Sequence, residues 1–212
     1  MDKKIYPVIT GDVVNSAEIE GYGDSLEEVF SQFGKDYKDE LPLEVDRYSG
    51  DQFQFLMESP RLALRASLYI YTKLVSLQVP VPVRISIAIG KIDDLPGNRV
   101  STGEGEVFRL SGSNLVEMKK YQRITFGATN GVIGQDLDSL FRGAMDLLSA
   151  LLIGLSQAQA DVVWYKLKGY TQNEIAGKTD RKQQSVSDIL IAGQWRNIQD
   201  FLERFEAIFE KY

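Results

Sequence analysis

Two carboxylates, Asp12 in Thr10-Gly11-Asp12-Val13 and Asp51 in Ser49-Gly50-Asp51, are the side chains whose type and setting best suit chemistry. The chain has no histidine and no cysteine, which excludes thiol nucleophiles, imidazole triads and zinc sites of nitrogen and sulfur. Proton chemistry is left to carboxylates, lysine, tyrosine or water on an oxygen-held metal. Two acids placed together raise each other's pKa unless a cation lies between them. A hard ion, Mg²⁺ or Mn²⁺, held by Asp12, Asp51 and the carbonyl of Val13 would keep positions open for phosphate oxygens or water. The competing reading is structural: Asp51 bonds N–H groups of its turn, and Asp12 caps the loop after a strand.

Elements far apart in sequence must bring the two acids together. Residues 5–14 form a continuous β-rich run, as a strand buried on both faces requires. Leu26, Val29, Phe30, Phe33 and Tyr37 then recur at helical spacing. Residues 43–48 and 52–57 flank Ser49-Gly50-Asp51 as a hairpin. Pro60 opens a helix over 61–77, and Val83 to Gly90 alternates as a strand. A loop rich in Asp, Gly and Pro spans 91–105, followed by a helix over 106–120 and a strand over 122–128. The first six elements predict an α+β domain, a ferredoxin-like split βαβ sheet in which the ends bearing Asp12 and Asp51 are adjacent.

Thr10-Gly-Asp-Val-Val-Asn-Ser16, Ser49-Gly-Asp-Gln-Phe53 and Arg84-Ile-Ser-Ile-Ala-Ile-Gly90 resemble, in order and spacing, the strand motifs of class III nucleotide cyclases and GGDEF-type diguanylate cyclases. With the helical tail included, the whole chain resembles the SatD family, most specifically in Ile9-Thr-Gly-Asp-Val-Val-Asn-Ser16. The resemblance implies a metal site at Asp12, Val13 and Asp51, and a nucleotide against Asn15, Ser16, Gly50, Lys119 and Lys120. The chain departs from the cyclase pattern in two ways. Residues 106–120 lack the Asn and Arg four apart that orient ribose and stabilise the transferring phosphoryl group, and Gln52 replaces an acid of the GGDEF motif. Arg109, Lys119 and Lys120 could touch phosphates instead, or be solvated helix charges.

Beyond residue 135 the sequence becomes helical. Leu137, Leu140, Phe141, Ala144, Leu148, Leu151, Leu152 and Leu155 keep helix spacing, and Leu147 and Ile153 add a second apolar side, which predicts a helix bridging two domains or two subunits. Thr171, three residues before Glu174, makes a capping box for a short helix. A second helix follows with Val186, Ile189 and Leu190 inward and Gln183, Gln184 and Ser187 outward. This helix-turn-helix pattern looks like the region of sigma factors in which Thr-Gln-x-Glu-Ile-Ala precedes the recognition helix. The net charge is −6, yet residues 156–212 carry as many basic as acidic side chains. Lys166, Lys168, Lys178, Arg181 and Lys182 outnumber Glu174 and Asp180 there, so DNA contact is expected at Thr171, Gln172, Arg181, Lys182, Gln183, Gln184 and Ser187. Trp195, Ile198, Phe201, Leu202, Phe205, Ile208, Phe209 and Tyr212 form a last apolar stripe, expected to serve a homodimer.

These readings predict a cyclase-like domain over 1–132, a connecting helix over 133–155 and an all-α helix-turn-helix domain over 156–212. The N-terminal apolar run is short and broken by Pro7, so neither a signal peptide nor a membrane span is expected, and the chain reads as cytoplasmic. The expected function is a regulator that binds a metal and a nucleotide in its first domain and DNA in its tail. The alternative is a metal-dependent nucleotidyl or phosphoryl transferase using Asp12 and Asp51, with the tail serving dimerisation.

Overall fold

The computed structural model describes residues 4–92 and 94–212. Met1–Lys3, at the start of the expected first domain, and Asp93, in the expected loop, lie outside the described residues. The strands are β1 (Ile5–Val13), β2 (Asp46–Tyr48), β3 (Gln52–Leu56), β4 (Val83–Lys91) and β5 (Ile124–Ala128), in the order β2-β3-β1-β4-β5. β1 runs antiparallel to both β3 and β4, and β4 pairs parallel with β5. With α1 (Tyr22–Asp36) after β1 and α2 (Ala63–Ser76) after β3, the first six elements make the expected split βαβ sheet. The crossover through α3 (Glu106–Glu117) adds β5.

Each strand feeds both faces of the sheet, as its period of two dictates. Ile9 and Val13 of β1 enter the main core with Phe53, Phe55, Ile85, Ile87 and Phe126 under α1 and α2. Val8 faces the other way, joining Leu56 and Ala88 beneath Val107 and Phe108 of α3. Gly11 is required by close approach, since a Cβ there would lie 2.2 Å from the Phe53 ring. Ser49 and Gly50 both take positive φ, 51° and 79°, in the three-residue connection Ser49-Gly50-Asp51 that closes the hairpin at the Tyr48–Gln52 pair.

Both edges of the sheet are covered. At β2, Arg99 donates to the Arg47 carbonyl at 3.1 Å and the Ser101 N–H donates to Asp46. At β5, the Ser149 hydroxyl accepts from the N–H groups of Arg123 and Ile124, and Asp138 accepts from the Ala128 N–H.

The remaining helices are α4 (Gln135–Ile153), α5 (Gln157–Leu167), α6 (Gln172–Thr179), α7 (Gln183–Ala192) and α8 (Trp195–Phe209). They do not form a core of their own: their buried residues continue the main core of the sheet. Trp164 of α5 meets Tyr69 of α2 at 5.5 Å, and Phe205 of α8 meets Phe126 and Phe141 at 5.8 and 5.3 Å. The stripe expected to serve a homodimer is therefore spent inside the chain, with Ile198, Leu202, Phe205 and Phe209 all buried. The sequence reading missed this because it weighed the stripe against the tail alone, not against the free face of β5. Helix α4 buries Phe141, Met145, Leu148 and Leu152 along one side against the shared core, so it does not bridge two separate domains, and Leu140, Leu147 and Ile153 stay exposed within one chain. Among the described residues no helix is long and apolar enough to cross a membrane.

Candidate functional site

At the C-terminal end of β1 the sequence-expected residues do come together. The Val13 N–H donates to the Asp51 carbonyl at 3.1 Å, and the Ser16 hydroxyl donates to the Asp51 carboxylate at 2.9 Å. Asn15, left-handed and exposed, directs its amide to Glu18, and the Gly50 carbonyl accepts from Arg47. What the sequence reading did not weigh is Arg84. It lies directly opposite Asp12 across the β1–β4 ladder, on the same face by strand parity. Its Nε donates to one carboxylate oxygen of Asp12 at 3.0 Å and a terminal nitrogen donates to the other. This fork closes on both oxygens and raises the Arg84 pKa, chiefly through that hydrogen bond and against a smaller cost of burial. A divalent ion needs those oxygens, so the residues present do not fit the expected Mg²⁺ or Mn²⁺ clamp of Asp12, Val13 and Asp51. Arg84 supplies the positive charge that balances the Asp12 carboxylate, while the Asp51 carboxylate bonds the Ser16 hydroxyl. The sequence carries the parity of Arg84 and Ser86 on β4, but not the register that sets Arg84 opposite Asp12.

The same face carries a polar row across four of the five strands, Gln54, Thr10, Ser86 and Thr125 in register. Gln54 donates to Thr10, whose hydroxyl also bonds Ser111 of α3 at 2.5 Å. Lys119 and Lys120, expected at the nucleotide, are both exposed at the end of α3; Lys119 lines a small cavity of about 160 Å³ with Asn114, Thr125 and Arg142. Arg109 is exposed beside the 94–105 loop. None of the three bonds the acidic turn.

The second site is the α6–α7 unit. Thr171 and Glu174 form the expected reciprocal capping box, which starts α6 one turn before Ile175 enters the core. That bonding holds the exposed Glu174 carboxyl below the usual range, through the Thr171 N–H first and its hydroxyl second. Asp180, left-handed at φ 50°, ends α6, and the chain turns into α7 at Gln183. Val186 and Leu190 point inward, leaving Lys182, Gln183, Gln184, Asp188 and Ile191 exposed along the outer side of α7. Gln172 and Gln183, first residues of the two helices, are joined: the Gln183 amide nitrogen donates to the Gln172 oxygen at 2.5 Å. Ser187 is half-buried, not fully outward, Arg181 is drawn back to Asp161 at 3.4 Å, and the exposed Lys178 and Lys182 remain as cations of the unit, Lys178 lying over the Tyr170 ring at 4.8 Å. The chain matches no family model and no curated protein.

Proposed function

We propose that this protein is a cytoplasmic DNA-binding regulator that reads the major groove with α7. The observation that carries this reading is the Gln172–Gln183 bridge at the mouth of an exposed recognition helix. With one amide hydrogen given to Gln172, Gln183 keeps its oxygen and its second hydrogen free and oriented. That is the donor and acceptor pair that grips the N7 and N6 edge of adenine. Lys178 and Lys182 flank this edge with positive charge suited to phosphates, in a chain otherwise acidic enough to keep non-specific binding weak. The likeness to the SatD family is part of the same proposal. The transferase alternative finds no support at Asp12, whose carboxylate is held by Arg84.

The test is selection of preferred duplexes from a random library, followed by titration of the enriched site. Gln183→Ala is expected to weaken the preferred site by about 1–3 kcal/mol and relax the choice at one base pair, while Lys182→Ala weakens all sequences alike and lowers the salt slope by about 1. Absence of any enriched sequence at low salt, or enrichment indifferent to Gln183, overturns the reading.

A further inference from the structure

Helix α4 carries an exposed stripe that the fold leaves uncovered. Leu140 and Leu147 are 68% and 74% exposed, and Gly143 and Ala150 are exposed between and beyond them at the same heptad spacing. A Cβ added at Gly143 would meet nothing within 4 Å, so this glycine is not required by the packing of its own chain. Glycine at the centre of a 19-residue helix disfavours the helix without a local return.

We propose that α4 is the interface of a homodimer, pairing antiparallel with α4 of a second copy about a two-fold axis near residue 145. The order large, small, large, small along Leu140, Gly143, Leu147 and Ala150 becomes its own complement when reversed. Leu147 of each copy enters the gap at Gly143 of the other, and Leu140 enters the gap at Ala150. An isologous contact needs this self-complementarity. On one flank Arg142 pairs with Asp138 of its own helix at 2.8 Å yet stays 41% exposed at the side chain, and Asp146 lies one turn further on, so the two-fold axis offers Arg142 of each copy a second carboxylate, Asp146 of the other. That flank extends the patch, since Gln122 donates to Asp146 and the 60% exposed Tyr121 shares a cavity wall with Arg142. From Leu140 to Ile153 the stripe runs about 20 Å along the helix, and Tyr121 broadens it on one flank. The proposal goes beyond the DNA reading and does not rest on it.

The experiment is molar mass by light scattering across a concentration series, with circular dichroism to verify folding. The wild-type chain is expected to run as a dimer. Leu147→Asp and, separately, Gly143→Leu are expected to run as folded monomers, the second because it fills the gap from an exposed position where an added Cβ meets nothing within 4 Å. Combining Gly143→Leu with Leu147→Gly exchanges large for small at both ends of the contact and is expected to restore the dimer, which a parallel pairing would not. A wild-type chain that is monomeric throughout, whether the stripe is bare or covered by a different protein, overturns the proposal. A dimer indifferent to both single substitutions overturns it as well, and so does a folded exchange variant that stays monomeric.

Discussion

Asp12 shows how one cross-strand neighbour changes what a carboxylate can do. The neighbourhood of the two acids was legible, because a split βαβ order sets the end of β1 beside the β2–β3 turn, and the Val13 N–H does meet Asp51 there. The occupant of the Asp12 oxygens was not, because pairing register lies in no local pattern, and only register places Arg84 opposite Asp12. Asp12 and Arg84 are 13% and 28% exposed at the side chain, so removing one partner strands a charge away from water. Asp12→Ala is expected to lower the urea-unfolding free energy by about 1–3 kcal/mol. Asp12→Ala combined with Arg84→Met should recover most of that loss, as loss of both partners of a pair tends to. Mg²⁺ titration should leave the melting temperature of wild-type and Asp12→Ala proteins equally unmoved; a shift confined to wild type would restore a metal to this corner.

Among elements, the capping box and the spacing of α6 and α7 were readable because both are local rules written within about a dozen residues. The docking of α5 was not, because it depends on side chains contributed by α1 and α2. Lys168, just past the end of α5, pairs with Asp36 at the end of α1 at 2.6 Å, and Tyr69 of α2 donates to the same carboxylate at 2.6 Å. Burial raises the Asp36 pKa, but the hydrogen bonds from Lys168, Tyr69 and Gln32 outweigh it and hold the carboxyl below its ordinary value. A depressed carboxylate contributes stability that is full above its unfolded pKa, about 4, and is lost as pH falls through the lower folded value. Urea midpoints measured from neutral pH downward should therefore decline below about pH 4. Lys168→Met should flatten that decline; an unchanged acid limb would show that Asp36 does not clamp α1 to α5. Burial, partly offset by Arg123, also pushes the Tyr71 phenol of α2 up to about 12, while its hydroxyl donates to the Leu152 carbonyl of α4.

For the molecule as a whole, composition and the run of elements were enough to foretell an α+β sheet followed by helices. They did not reveal that sheet and tail share one core. Hydrophobic patterning states how much apolar surface a helix must bury, not which partner covers it. Phe205 is fully buried among Phe126, Phe141 and Phe209, at the seam where α8 closes over β5 and α4. Phe205→Ala is expected to cost about 3–5 kcal/mol. Because the seam is common to both parts, tryptophan fluorescence from Trp164 and Trp195 and far-ultraviolet dichroism from the sheet and helices should shift together. Two separated transitions would show instead that tail and sheet unfold independently.

The covered margins of the sheet have a consequence at high protein concentration. Arg99 and Ser101 at one border, Ser149 and Asp138 at the other, fasten side chains or loop backbone along the rims where a foreign extended segment would template itself: Arg99 takes the Arg47 carbonyl, Ser101 the Asp46 carboxylate, and Ser149 and Asp138 the N–H groups of Arg123, Ile124 and Ala128. The protein should thus resist lengthening its sheet by adding a strand from another molecule at these positions.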